Sequence, residues 1–330
     1  MLNMRKLIYT LSLVGGLLSA STLHAQGIFS TAELSRSSRS ISMGGITSVS
    51  GPNAFSVYEN ASAVAFSDKK LEAGAMYTPW AKQSTRDMSR DNLLIDAAAY
   101  YSLDEENKLL LGAGYFAPGG NDLFQMDPSG NFIGDRVKPK YLSVQAGYAR
   151  RLSSAWGVSA VLDYAYWNPG ITGTAHAIGI DLGVTYRLFW KPENGYLDIA
   201  LKAAGWGVAI ADEGDYKLPG LLAVGALWHK PFGENHRLNL EAEAGYRCMD
   251  ESALRAAVGC EYSYRDFLFV RCGYSYTDLY SSLNSYGTVG AGVRVLSRVQ
   301  LDFSYLLAKG ESPFKDTYAI GFCKQPLPFL

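Results

Sequence analysis

The sequence predicts an all-β protein, a closed antiparallel transmembrane β-barrel of about 14 strands. Three observations support this fold class: an export signal, runs of alternating apolar and polar residues, and alternating long and short gaps between those runs. The composition agrees, because 13% of the residues are aromatic, 34 are glycine and only 18% are charged. A typical soluble domain is about 25% charged, whereas a membrane barrel needs aromatic girdles and glycines where its strands curve.

The first 25 residues predict a cleaved export signal. Arg5 and Lys6 precede the apolar stretch 7–20, and small residues ending at Ala25 follow it. The stretch is shorter than the roughly 20 residues of a spanning helix, so an N-terminal membrane anchor is the weaker alternative. Without Arg5 and Lys6 the chain has 28 basic and 31 acidic residues, a formal charge of −3. That balance argues against a nucleic-acid partner, which would need a basic face.

Alternating runs bounded by turn residues predict the strands of the barrel over residues 69–323, with a short tail at 324–330. Most of them are about 9–13 residues long, which suits a tilted strand that crosses a bilayer. The runs begin near residues 69, 92, 108, 138, 156, 175, 196, 219, 237, 252, 267, 286, 297 and 317.

Several runs have one apolar and one polar face. In the hairpin 253–276, Leu254, Val258 and Val270 share the apolar face, which we assign to lipid. The first three runs are apolar or small on both sides and leave their faces open. Inward charges of both signs predict a network of ion pairs that fills and stiffens the lumen, rather than the single-sign ring of a selective ion path. Its predicted members are Asp181, Arg187, Glu241, Glu243, Arg255, Glu261, Arg271 and Arg294.

Long and short gaps tend to alternate between the runs. The third gap, 119–137, is the longest, whereas gap 265–266 is minimal. Outer-membrane barrels have short periplasmic turns and longer external loops, so the long gaps are expected outside. Aromatic residues in these gaps predict partner-binding loops, with a cover for the barrel mouth as an equal alternative. They are Phe124, Phe132, Tyr216 and Tyr280.

Residues 39–82 resemble the start of the PorV/PorQ family, FadL-like outer-membrane barrels of the type IX secretion system in Bacteroidetes. Segment 127–135, DPSGNFIGD, looks like the long third loop of that family. Where the family has Trp-Asn-Pro-Ala, this chain has Glu59-Asn60-Ala61-Ser62. The matching residues are Arg39, Met43-Gly44-Gly45, Asn60, Phe66, Lys69-Lys70 and Tyr77-Thr78-Pro79-Trp80.

The resemblance implies a barrel in the outer membrane of a Gram-negative bacterium, with the N-terminal segment 26–68 entering the lumen. It implies that this segment is held by a plug motif, and that the barrel passes secreted cargo proteins to surface attachment machinery, as the main component or as a paralogue. The residues agree in part, because 26–68 is long for a simple tail and 60–66 could form one helical turn. An ordinary mobile N-terminus is the alternative. The plug motif is Arg39, Met43, Gly44, Gly45 and Asn60.

Two other functions fit the same barrel. A FadL-like channel for small hydrophobic molecules predicts an apolar pocket in the lumen and a lateral gap at an inward kink of one strand, and a purely structural barrel predicts neither. We expect no enzyme activity, cofactor or metal ion, since His176, His229 and His236 are widely spaced and no nucleophile motif is complete. Cys260 and Cys272 are expected opposite each other on the lipid face, more as free thiols than as a strained disulfide.

Overall fold

The computed structural model describes most of the chain. It covers residues 35–80, 92–117, 140–168, 173–189, 195–212, 218, 220–248, 252–278, 285–295, 298–309, 312 and 314–324. The predicted signal, residues 1–25, lies outside this part. Residues 26–34 of the predicted luminal segment and residues 325–330 of the predicted tail also lie outside it.

Fourteen antiparallel strands form a closed barrel, which confirms the predicted fold class. Each strand begins within two residues of its predicted start, because turn residues limit every alternating run. The strands are β1 (Leu71–Trp80), β2 (Asn92–Ser102), β3 (Asn107–Ala117), β4 (Lys140–Arg151), β5 (Trp156–Asn168), β6 (Ala175–Phe189), β7 (Tyr196–Ala211), β8 (Gly220–Phe232), β9 (His236–Cys248), β10 (Ala253–Tyr264), β11 (Leu268–Thr277), β12 (Ser285–Val295), β13 (Val299–Ala308) and β14 (Tyr318–Lys324).

The first and last strands close the cylinder. β1 pairs with β2 on one side and with β14 on the other, with Ala73 opposite Lys324 and Tyr77 opposite Ile320. Closure gives the backbone groups at both ends of the sheet a partner, which a hydrocarbon environment demands.

Strand alternation places apolar side chains outside and charged ones inside, as the sequence predicts. Val258 and Leu182 are 55% and 49% exposed, whereas Glu261 and Arg271 are 5% and 2% exposed. A protein with so large an apolar exterior would aggregate in water, whereas lipid would cover this surface in a membrane. In the part of the chain that the structure describes, no helix is both long and apolar enough to cross a bilayer.

Residues 35–68 lie inside the barrel as a compact N-terminal segment. They form a short α-helix, Ser38–Ser42, and two 3₁₀ helices, Ala54–Val57 and Ala61–Phe66. The helices begin where the side chains of Ser37, Asn53 and Asn60 accept a hydrogen bond from a backbone N–H of the first turn, as N-cap residues do.

The interior contains an apolar core, largest on β1 to β3, and many buried charges. The inward residues of β1 to β3, whose faces the sequence left open, pack on apolar residues of the N-terminal segment. On the other side of the barrel, the inward residues of β9 to β13 are rich in charge. The apolar core is therefore formed between the segment and one wall, and it includes Ile41, Phe55, Val57, Val64, Met76, Leu94, Tyr100 and Leu110.

Candidate functional site

Arg39 joins the N-terminal segment to the charged wall. Its Nη2 atom donates to Glu241 Oε1 at 2.7 Å, and its Nε atom donates to Glu261 Oε2 at 3.1 Å. Burial opposes the charge on Arg39, but the two carboxylates outweigh it and raise the pKa of the guanidinium above its ordinary value. Charge-assisted hydrogen bonds in a buried place are among the stronger contacts in a protein, so Arg39 anchors the segment.

Arg39, Glu241 and Glu261 form the Arg39 cluster, and further side chains of the wall extend it away from the segment. Arg271 donates to Glu261 at 2.6 Å and to Asp302 at 2.5 Å. Gln300 donates to Asp302 at 2.8 Å and accepts from Arg294 at 2.7 Å. Thus Arg294, one of the predicted network members, reaches the cluster through an amide.

Other predicted members form separate pairs. Arg187 donates through Nε and Nη2 to both oxygens of Asp198, each at 2.7 Å, and its guanidinium lies 4.3 Å from the centre of the Phe66 ring. Arg255 Nε is 3.4 Å from Glu243 Oε1. The eight predicted residues are therefore divided among several groups around the wall. The family resemblance implied a place for Arg39 in the lumen, but no sequence pattern indicated that it links Glu241 to Glu261.

Gly44 and Gly45 bring the segment's backbone against the barrel wall. Both have positive φ angles, 81° and 74°, a conformation that residues with a Cβ rarely adopt. The turn points the Gly44 N–H at Thr288 Oγ1, 3.0 Å away, and the carbonyl of Gly45 at the Arg255 guanidinium. Beside it, Glu243 Oε2 accepts from the backbone N–H of Thr47.

Glycines of the wall make room for this segment. The inner face of Gly259 lies against Met43, and a Cβ there would be 2.6 Å from the Met43 carbonyl oxygen. On the next strand, Gly273 lies against the backbone of Met43 and Gly44, and a Cβ would overlap it. The same relation recurs at Gly183, where the missing Cβ leaves space for Asn60.

Asn60 and Glu59 organise the second half of the segment. Asn60 Nδ2 donates to the Ser48 carbonyl at 2.8 Å, while its Oδ1 atom accepts from the Ser62 hydroxyl at 2.6 Å. Glu59, which stands where the resembled family has Trp, is 2% exposed and accepts hydrogen bonds from Ser50 and Ser40. This departure from the family pattern therefore has a structural function, a buried carboxylate that ties three parts of the segment together.

All five plug-motif residues lie inside the barrel. The Met43 side chain is fully buried, and the Met43 backbone lies against the wall glycines. The four predicted loop aromatics, Phe124, Phe132, Tyr216 and Tyr280, lie outside the described residues. Cys260 and Cys272 are directly opposite across β10 and β11 and are free thiols. Within the described ranges, no group of three or more His, Cys, Asp or Glu residues is arranged to hold a metal ion.

A cavity of about 210 Å³ lies between the N-terminal segment and strands β4 to β10. We call it the upper cavity, because it lies toward the end of the barrel where the long gaps are. Benzene occupies an apolar cavity of about 150 Å³, so the space suits a single-ring molecule. Its lining includes Val57, Tyr141, Ala165, Ala177, Leu218 and Leu221 on the apolar side, and Asp163, Asp181 and Lys202 on the polar side.

In the part of the chain that the structure describes, the pairing of β7 with β8 ends beside the upper cavity. β7 and β8 are paired only as far as Ala204 and Leu221, although β7 continues to Ala211. The register between β6 and β7 shifts after Ile180, and Gly205, at a φ angle of 70°, lies in this bulge and donates to Asp181. A bulge bends a strand and disrupts its pairing. Among the described residues, Gly205–Ala211 therefore has a strand partner on the β6 side alone.

This separation reaches the apolar exterior. Beyond the bulge, the outward residues Val208 and Ile210 are 63% and 67% exposed. Ala204 and Leu221, at the point of separation, line the cavity, and so does Leu218 just before β8. Among the described residues, the end of β7–β8 pairing thus lies between lining residues of the upper cavity and apolar residues of the lipid-facing side, and we call this place the lateral gap.

No protein-family model and no curated protein matches this chain. Solved structures do resemble it, among them the toluene transporter TodX of Pseudomonas putida, with a TM-score of 0.56, 14% identity, and coverage of 88% of this chain and 98% of that one. This chain has the same barrel fold as TodX. The toluene transporter TbuX of Ralstonia pickettii has a TM-score of 0.55 and 14% identity, with 87% of this chain and 97% of that one covered. The monoaromatic hydrocarbon channel CymD has a TM-score of 0.56 and 13% identity, with 88% of this chain and 98% of that one covered.

At these identities the likeness concerns the fold. The shared barrel fold covers nearly the full length of each of these solved chains and 87–88% of this chain. Within this fold, the features of this chain that could carry a function are the Arg39 cluster, the upper cavity and the lateral gap.

Proposed function

We propose that this protein is an outer-membrane channel that moves small apolar molecules from the upper cavity through the lateral gap between β7 and β8. The observation that carries the proposal is the end of β7–β8 pairing at Ala204 and Leu221, both of which line the cavity. An opening in the wall gives an apolar molecule a route into lipid that avoids water.

A route straight along the barrel axis is less suited to such a molecule. The N-terminal segment crosses the lumen below the upper cavity, and Arg39, Glu241 and Glu261 bring charge to that level. An apolar solute passing there would have to separate buried ion pairs, at a high free-energy cost. The lateral route begins at Ala204 and Leu221, two apolar residues of the cavity lining.

The solved structures that share this fold support the proposal, because they include transporters of toluene and a channel for monoaromatic hydrocarbons. A fold can host unrelated functions, so the argument depends on the cavity and the gap of this chain.

Filling the mouth of the gap tests the proposal. Ala204→Phe places a ring in the cavity wall where β7 leaves β8, and we expect the uptake of radiolabelled toluene by cells that carry the protein in the outer membrane to fall at least tenfold. Ala203→Phe is the matched control, because Ala203 lies one residue away and pairs with the outward residue Leu182.

The expected control result is uptake within twofold of the unmodified protein. Heat-modifiable migration of both variants shows that each forms the barrel. Equal uptake by Ala204→Phe and Ala203→Phe, with both barrels intact, would exclude the lateral gap as the route.

A second candidate function is the binding of secreted cargo or attachment machinery in a type IX secretion system. One observation favours it: the residues that resemble the PorV/PorQ family are the ones that hold the segment across the lumen. Arg39 contacts two strands, and Asn60 contacts the β7 backbone at the Leu201 carbonyl, 3.3 Å away. A barrel filled in this way could present its external loops to a protein partner without passing a solute.

A further inference from the structure

The upper cavity contains an acid that has no cation as an ion-pair partner among the described residues. Two acids line the cavity, and one of them, Asp181, lies 3.9 Å from Lys202 Nζ and accepts the Gly205 N–H at 2.7 Å. The other acid, Asp163, lies beside the Asp181 side chain and makes no ion pair in the described part of the chain, and its buried Oδ2 atom has no hydrogen-bond donor. A buried carboxylate oxygen without a donor is costly, so this atom is ready to accept one from a ligand.

Gln145 provides a second unpartnered polar group at the same place. It is directly opposite Asp163 in the register of β4 and β5, lines the cavity and is 5% exposed. Its Oε1 atom has no hydrogen-bond partner among the described residues. Gly179, on the other side of Asp163, has no side chain, which leaves space beside the carboxylate.

The cations around the cavity already have partners. Lys202 Nζ donates to the Tyr58 carbonyl at 2.9 Å in addition to facing Asp181. Arg36 donates to hydroxyls of β4 and lies 3.7 Å from a carboxylate of β2. Arg255 faces Glu243. Arg247 lines the cavity from β9, three strands away from β6.

We infer that the upper cavity selects small apolar molecules that carry a protonated amine. The ammonium group would donate to Asp163 Oδ2 and to the amide oxygen of Gln145, where a buried carboxylate attracts a cation. The apolar body would rest on Ala165, Ala177 and Leu218. The inference rests on the proposed function, because it names the substrate class of the same cavity.

Two soluble ligands of similar size test it. The dissociation constants of benzylamine, a cation at pH 7, and of benzoate, an anion, are measured by titration calorimetry on the full-length protein in lipid nanodiscs. We expect benzylamine to bind at least tenfold more tightly than benzoate. Asp163→Asn should weaken benzylamine binding at least tenfold, and Gln145→Leu at least threefold, because each removes one acceptor.

Glu106→Gln is the matched control, since Glu106 is an exposed acid in a turn and its replacement should leave both constants unchanged. Equal affinity for the two ligands would overturn the inference, and so would unchanged benzylamine binding in the variants that fold. Toluene uptake by the unmodified protein separates the two proposals: uptake without a preference for benzylamine over benzoate contradicts this inference alone, whereas absent uptake contradicts the proposed function.

Discussion

Single side chains decide where the N-terminal segment is held. Arg39 carries the main polar anchor, because it places one guanidinium between Glu241 and Glu261, and Arg271 supports Glu261 from the wall. Residue parity along β9 to β11 predicts the inward direction of these wall residues. It cannot predict Arg39 as their partner, since the two lie about 200 residues apart in the chain and only the closed barrel brings them together.

Arg39→Gln removes the cation and leaves Glu241 facing Glu261. Breaking a buried ion pair at one partner costs about 3–5 kcal/mol. We expect the free energy of unfolding in urea to fall by that amount, and we expect ion conductance across planar bilayers to rise as the segment loosens.

Arg150→Gln is the control for that substitution. Arg150 and Glu106 form an ion pair at 3.5 Å, but their side chains are 51% and 56% exposed, and surface pairs contribute about 0–1 kcal/mol. Unfolding and conductance should therefore stay close to those of the unmodified protein. If Arg39→Gln behaves like Arg150→Gln, the Arg39 cluster does not anchor the segment.

Strands and helices fit one another through small residues. Gly259 and Gly273 form a smooth patch on two neighbouring strands, and the turn at Gly44 and Gly45 rests on it. In a strand, glycine weakens pairing and gives no side chain to pack, so glycine at an inward position indicates close approach of another backbone. The sequence marks these positions as small, but the element that covers them is known only from the fold.

Gly273→Ala puts a Cβ into the backbone of Met43 and Gly44. Overpacking of this kind costs about 1–3 kcal/mol, and we expect it to displace the segment, raise bilayer conductance and lower the melting temperature. Gly287→Ala on the next strand is the matched control, because its Cβ would lie 3.7 Å from its nearest neighbour, an ordinary contact. Equal conductance of the two variants would mean that the segment does not depend on the glycine patch.

At the scale of the whole molecule, closure sets two surfaces with different roles. The exterior is apolar and suits lipid, whereas the interior is divided between an apolar core on β1 to β3 and charge on β9 to β13. The two ends differ as well, because the short turns and the long gaps lie at opposite ends. Under the second candidate function, contact with a protein partner is expected at the end with the long gaps, whereas the apolar wall suits lipid.

Removal of the longest gap distinguishes protein docking from transport. Replacing residues 121–134 with a Gly-Ser linker of equal length should leave barrel formation and toluene uptake intact. If the second candidate function holds, the same change should abolish the co-purification of secretion components identified by mass spectrometry after cross-linking. Undiminished recovery of those components would contradict docking through this loop, and a matched replacement of residues 82–90 shows whether any effect is specific.

Local sequence patterns were enough to predict the strands and the faces of most of them. Alternation has a fixed period of two, and turn residues limit each run, so both features are encoded locally. The inward direction of Glu261 and Arg271 and the short helix after Asn60 belong to this local part. The tertiary structure alone decided what occupies the lumen, how the charges pair, and where β7 separates from β8. Those features depend on contacts between residues far apart in the chain, and a closed barrel is what brings such residues within reach of one another.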